Sequence, residues 1–279
     1  MYRRYFRERL RRLLFSKRAL AIPVTYLILF VSLLVIISAT YSLAVAKISA
    51  RGAMLNASVA KRNMQALDDA VRSVAWSFGA SEVVYMDDCG GIFKTQPEAK
   101  NLILNFTDGQ TFHDLLFNSS VGKAFYELEP SELNYEGLYL RGDERTLINQ
   151  GAFTMTQLYF GTGENAKELT LCYRPFVTIT TTGSVGGKPL NTVRVYIINL
   201  NFSQSMMLKE KFYLKVTAID VVTTTRQYEF NQSISSFLLK AVLDGAQSTV
   251  MLPVSSNDEG AVVNFELVTC NIKIQRVEM

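Results

Sequence analysis

The chain has 279 residues, 48% of them hydrophobic and 19% charged, with one histidine, three cysteines and a formal net charge of +4. A single histidine excludes a Ser-His-Asp triad, an HExxH zinc site and a paired-His metal centre, and cysteines without a CxxC pair exclude a zinc-finger framework. Eight basic residues against the one acid Glu8 put +7 in the first eighteen positions, so the rest, with 21 basic and 24 acidic residues, carries −3 and has no clustered basic surface for nucleic acid.

In chain order, the arginine-rich start, with Tyr2, Tyr5, Phe6, Leu10 and Leu13 among its cations, suits an anionic membrane face or serves as a topology signal. From Ala19 to Ala46 there are 28 residues without a charge. A helix crossing the hydrocarbon layer needs about 20, whereas the apolar region of a secretory signal has about 7–15. The run therefore reads as a lasting span, although "SLAVA" before Lys47 has the look of an export-signal cut site. Positive charge is retained on the cytoplasmic side. That predicts a cytoplasmic N-terminus and places the 233 residues after Ala46 outside.

Helix is expected to continue. Ala53, Ala57, Ala60, Met64, Leu67, Val71, Val74 and Phe78 alternate spacings of four and three, which is one stripe of a helix. Lys61, Arg62, Gln65, Asp68, Asp69 and Arg72 fall on the opposite face. Pro23 suits a helix start and Gly79 a left-handed stop. One helix from about 23 to 78 would be on the order of 84 Å long; the alternative is two helices joined near Arg51-Gly52, where glycine weakens the middle.

Beyond Gly79 the period becomes two. "NTVRVYIINLNFS", "KFYLKVTAIDVV" and "AVVNFELVTCNIKIQ" alternate apolar and polar residues, and the last slips phase near Val268, which suggests a bulge. "EVVYM", "KNLILNFT", "KAFYELE", "GLYLRG", "LTLCYRP" and "STVMLPV" read as shorter strands between turn residues. "SISSFLLKAVLDGA" (233–246) is open between strand pair and helix. About ten strands predict an antiparallel β-sandwich.

Chemistry is sparse. Outside the cytoplasm Cys89, Cys172 and Cys270 allow one disulfide of unknown pairing plus one thiol, or three buried free thiols. His113 reads as a surface or cap residue. "GSVGGKP" (183–189) fails the phosphate-loop pattern, with Thr182 where glycine is needed and Pro189 after the lysine, and reads as a hairpin turn. "FGTGENAK" reads as another turn. Asp87 and Asp88 before two glycines could meet a calcium ion but read as solvated, so no metal site is expected. "LRGDER" (140–145) contains the tripeptide that integrins read, here taken as a polar loop. Asn56, Asn105, Asn118, Asn201 and Asn231 head five N-x-S/T sequons, above the two to three expected by chance, and are candidates for N-glycosylation.

The junction "SKRA" then "LAIPVTYLILFV" resembles the class III signal of archaeal type IV pilin-like proteins. "GLYLRGDERTLINQG", "LCYRPFVTI" and "KPLNTVRVYIINLNFSQS" are similar to the heads of such secreted proteins. The resemblance implies cutting by a prepilin peptidase at Lys17, Arg18 and Ala19, with Leu20 as the new start. It further implies an apolar helix kept on the mature protein, and other pilin-like subunits as partners through that helix. The glutamate that bacterial pilins carry at the fifth mature position is Val24 here.

The expected fold is α+β, a long N-terminal transmembrane helix followed by an antiparallel β-sandwich head. Its parts are a basic leader (1–19), a transmembrane part (20–46), an extracytoplasmic amphipathic part (47–78) and the head (79–279). The expected function is a pilin-like, cell-surface subunit or minor component of a type IV pilus-like filament serving adhesion. It would be glycosylated, in contact with the membrane, and neither an enzyme nor a user of cofactors. The alternative is a single-span surface binding protein that never polymerises; an anchored enzyme has no residue constellation behind it. The ligand of the head is not legible.

Overall fold

The structure, a computed structural model, describes residues 17–128, 137–149, 151, 153–163 and 167–278. The chain divides into two compact units, Met1–Ala53 and Met54–Met279. Most of the basic leader lies outside the described residues. Helix α1 is Lys17–Val74, and Pro23 sits inside it. The start lies ahead of the expected position near Pro23, so one backbone hydrogen bond of the helix is missing there. Gly52 does not interrupt the helical assignment.

In the first unit every residue from Ile22 to Ala50 is exposed, including Leu27, Phe30, Ile36 and Leu43. This helix is long and apolar enough to cross a membrane. In the second unit the remainder of α1 is amphipathic. Ala57, Ala60, Met64, Leu67, Val71 and Val74 are buried, as their spacing predicts. Three expectations fail at its far end. Asp68, assigned to the polar face, is completely buried, while Phe78, assigned to the stripe, is exposed. The helix ends at Val74, with Trp76 in the left-handed region ahead of Gly79. Trp76 N–H is taken by the sulfur of Cys270 at 3.4 Å, and Gly79 N–H by the carbonyl of Ala218. The sheet thus captures the chain before the stripe reaches Phe78.

The strands, in order, are β1 (Ser81–Met86), β2 (Ile92–Gln96), β3 (Asn101–Thr107), β4 (His113–Ser120) and β5 (Lys123–Leu128). Next come β6 (Tyr139–Arg141), β7 (Thr156–Thr162), β8 (Lys167–Tyr173), β9 (Phe176–Val185) and β10 (Lys188–Asn199). The last are β11 (Met206–Leu208), β12 (Phe212–Phe230), β13 (Ser236–Leu243), β14 (Ala246–Pro253) and β15 (Ala261–Val277). They form three sheets, ordered β1-β12-β15-β10-β9, β11-β2-β5-β8-β7-β6 and β14-β13-β3-β4. All named ladders are antiparallel except β10 with β15, which run parallel and correct the purely antiparallel expectation. The ambiguous 233–246 segment is the β13–β14 hairpin: β13 alternates half-buried and buried residues and pairs on both sides, with β14 and β3.

Two cores share the first sheet. One gathers the α1 stripe, Phe93, Tyr126, Phe160 and Leu171 of the second sheet, and Leu214, Val216, Ile272 and Ile274 of the first. The other gathers Leu104, Phe106, Phe237 and Leu239 of the third sheet with Val193, Val195, Phe265 and Leu267 of the first. The phase slip in β15 follows from this. Val263, Phe265 and Leu267 face the second core, and Cys270, Ile272 and Ile274 face the first, from the opposite side of the sheet. The bulge expected near Val268 lies instead on the partner strand, where Ala218 pairs with Ile272 and Asp220 with Asn271, leaving Ile219 as the extra residue. That insertion lets β12 change faces in step with β15.

Candidate functional site

The polar chemistry of the second unit concentrates where α1 ends against β6, β7 and β8. Asp68 accepts hydrogen bonds from Thr156 Oγ1 at 2.8 Å, from the Tyr173 hydroxyl at 2.9 Å and from Arg141 Nη1. Arg141 Nη1 also reaches Asp69 at 2.6 Å. This contact holds the Asp69 carboxyl below the usual aspartate range, and burial pushes the Tyr173 hydroxyl well above its own. Three acceptor bonds satisfy a charge that would otherwise be costly to bury.

A second cluster pins the loop that follows β6. Arg174, also fully buried, donates from Nη1 to the carboxylate of Asp143 and to the carbonyl of Arg145, and from Nε and Nη2 to the carbonyl of Thr154. Gln157 Nε2 donates to the carbonyls of Asp143 and Arg145. Hydrogen bonds first from Arg145 and then from Arg174 hold the Asp143 carboxyl well below its ordinary value. Gly142 between them has φ +76, and a Cβ there would run into the carbonyl of Thr156. The Arg141-Gly142-Asp143 tripeptide is therefore turned inward, its two charges engaged by Asp68, Asp69, Arg174 and Arg145. It is a structural clamp, not a displayed recognition loop. Sequence reading missed Asp68, Thr156, Tyr173 and Arg174. The available signal was an aspartate beside Leu67 of the apolar stripe, which any helix places partly under cover.

The other sequence-predicted residues are scattered. Lys17, Arg18, Ala19 and Leu20 form the first turn of α1. Asn56 is half-buried on α1 against Gly90, and Asn105 is half-buried on β3. Asn118 is exposed on β4, and Asn231, exposed after β12, accepts from Lys188 Nζ at 2.6 Å. Asn201 lies in the turn after β10, its Oδ1 buried without a hydrogen-bond partner among the described residues. Cys89, Cys172 and Cys270 are buried and free, and burial raises all three thiols, Cys172 to about 11. His113 opens β4, exposed. The Asp87 carboxylate accepts from Arg62, the Asp87 N–H donates to Asn63 Oδ1, and Asp88 accepts from the Gly90 N–H. Among the described residues no three His, Cys, Asp or Glu side chains gather as a metal site. "GSVGGKP" forms the β9–β10 hairpin, with Gly186 and Gly187 at positive φ. No family model, curated protein or solved structure matches this chain.

Proposed function

We propose that the protein is a pilin-like surface subunit, cut before Leu20, whose apolar helix is held first by lipid and then by neighbouring helices in a filament. One observation carries this reading: from Ile22 to Ile48 the helix buries none of its large apolar side chains within the chain. Apolar surface gains about 25 cal/mol per Å² when removed from water, so such a helix belongs in a membrane or a bundle. Support also comes from the same helix entering a β-rich unit as part of its core, an arrangement suited to coating a helical bundle. We read the first and third sheets, which share the second core, as the layers of a β-sandwich in that head.

The N-terminus would be cytoplasmic and the head extracellular, where its sequons could carry glycan. A large head favours a minor component. The competing reading is a single-span anchor that never assembles. Intact-mass measurement on native material tests processing; the expected mature chain starts at Leu20, and an uncut leader counts against the pilin-like reading. Shearing separates the two alternatives. A filament component appears in the sheared fraction, while a simple anchor remains wholly with the membrane.

A further inference from the structure

The only tryptophan of the chain, Trp76, holds φ +68. Bulky residues are rarely found there, and such backbone costs about 1–3 kcal/mol unless its surroundings impose it. The indole meets Tyr196 edge-on at 5.4 Å and is still 37% exposed. Beside it, within the second unit, a cavity of about 360 Å³ opens between the end of α1 and the strand-entry segment before β7. Buried Tyr173 and Ile198, half-buried Phe153, and exposed Arg72 and Trp76 line it.

Arg72 distinguishes this cavity from a packing defect. Its neighbouring acids on α1, Asp68 and Asp69, are hydrogen-bonded by Arg141, although the Arg72 charge also reaches Asp69. Among the described residues Arg72 makes neither a hydrogen bond nor an ion pair. A guanidinium offers five donors in a planar fork that matches a carboxylate. Here Arg72 lines a space that Trp76, Phe153 and Tyr173 also line, with the Arg145 guanidinium over the Phe153 ring at 3.8 Å. Small-ligand sites have this composition, an apolar lining with a few placed polar groups.

We propose that this cavity binds a small carboxylate carried on a ring, its carboxylate on Arg72 and its ring between Trp76 and Phe153. Uronic acids and arylalkyl acids share that chemistry. The C–H face of a sugar and an aryl ring both pack on indole, and either body fits a space of this size. The inference stands apart from filament assembly, since a subunit and a simple anchor would present the same cavity.

Trp76 is its own reporter. Full-length protein in detergent is titrated with glucuronate and with 3-phenylpropionate while tryptophan fluorescence is followed. The neutral 3-phenylpropionamide and methyl glucoside serve as matched controls. We expect a saturable change with at least one acid, and the acid that gives it identifies the source. Binding should weaken tenfold or more for its neutral counterpart, and tenfold or more in Arg72→Gln. A methyl-labelled Met155, which lines the same cavity, should shift with the same midpoint. No saturable change with either acid, or equal binding of acid and neutral control by the native protein, overturns the proposal, and the second outcome does so whether or not the variant folds.

Discussion

At the residue scale the clamp between α1 and the second sheet depends on one aspartate. Removing Asp68 leaves the buried Tyr173 and Thr156 hydroxyls without their acceptor and takes one of two carboxylates from Arg141. Breaking a buried ion pair from one side costs about 3–5 kcal/mol. Asp68→Ala should therefore lower the melting temperature of the second unit by roughly 10 °C, with Asp68→Asn losing less. A variant within 1 °C of the native protein would show that the cluster does not hold the helix. Asp143 predicts a pH dependence. Hydrogen bonds from Arg145 and then Arg174 depress its folded-state pKa below the ordinary aspartate value, so its stabilisation is complete above the unfolded pKa and is lost as pH falls through the folded one. Melts should be flat near neutrality and drop on acidification below about pH 4, and Asp143→Asn should weaken that drop while being less stable at pH 7.

At the element scale α1 behaves as two different helices in one. Leu67 lies in the first core, whereas Val35 is exposed. Leu67→Ala should cost about 2–5 kcal/mol in the unfolding of the second unit, whereas Val35→Ala should stay within about 0.5 kcal/mol; chemical denaturation in detergent measures both. The bulge in β12 makes a sharper case. Deleting Ile219 would restore a regular ladder with every pairing kept, from Asp220 opposite Asn271 to Phe230 opposite Ala261, because paired residues share a face and Ile219 is the one left out. Tyr228 and Phe230 would still pack against the second core. The deletion and Ile219→Ala should therefore both keep a single cooperative unfolding transition, which chemical denaturation checks.

At the scale of the whole molecule the exposed apolar helix governs behaviour in solution. Its large apolar side chains from Ile22 to Ile48 are exposed, far more contiguous apolar surface than a soluble monomer shows. The full-length protein should be monodisperse in detergent and should sediment on dilution below the critical micelle concentration; sedimentation velocity checks this. A chain that stays monomeric in plain buffer would remove the physical basis for both membrane and bundle.

Much of this was legible from residues alone because it depends on local repetition. An uncharged run of 28 residues is long enough for a helix that crosses a membrane, and a four-three spacing puts Met64, Leu67 and Val71 on one buried face. Strand period likewise marked β1, β3, β5, β8 and the long β10, β12 and β15. Strands such as β4 and β9 were hidden because their burial does not alternate: β4 pairs across a bulge and β9 runs into a threonine-rich exposed end. Tertiary structure decided the rest. Only packing across the chain could bring Arg141 to Asp68, 73 positions away, or set two cores on opposite faces of one sheet, because partner choice between distant segments leaves no mark in local spacing. The same holds at Trp76, where the left-handed turn and the cavity beside Arg72 exist only once the end of α1 has met the strands that stop it.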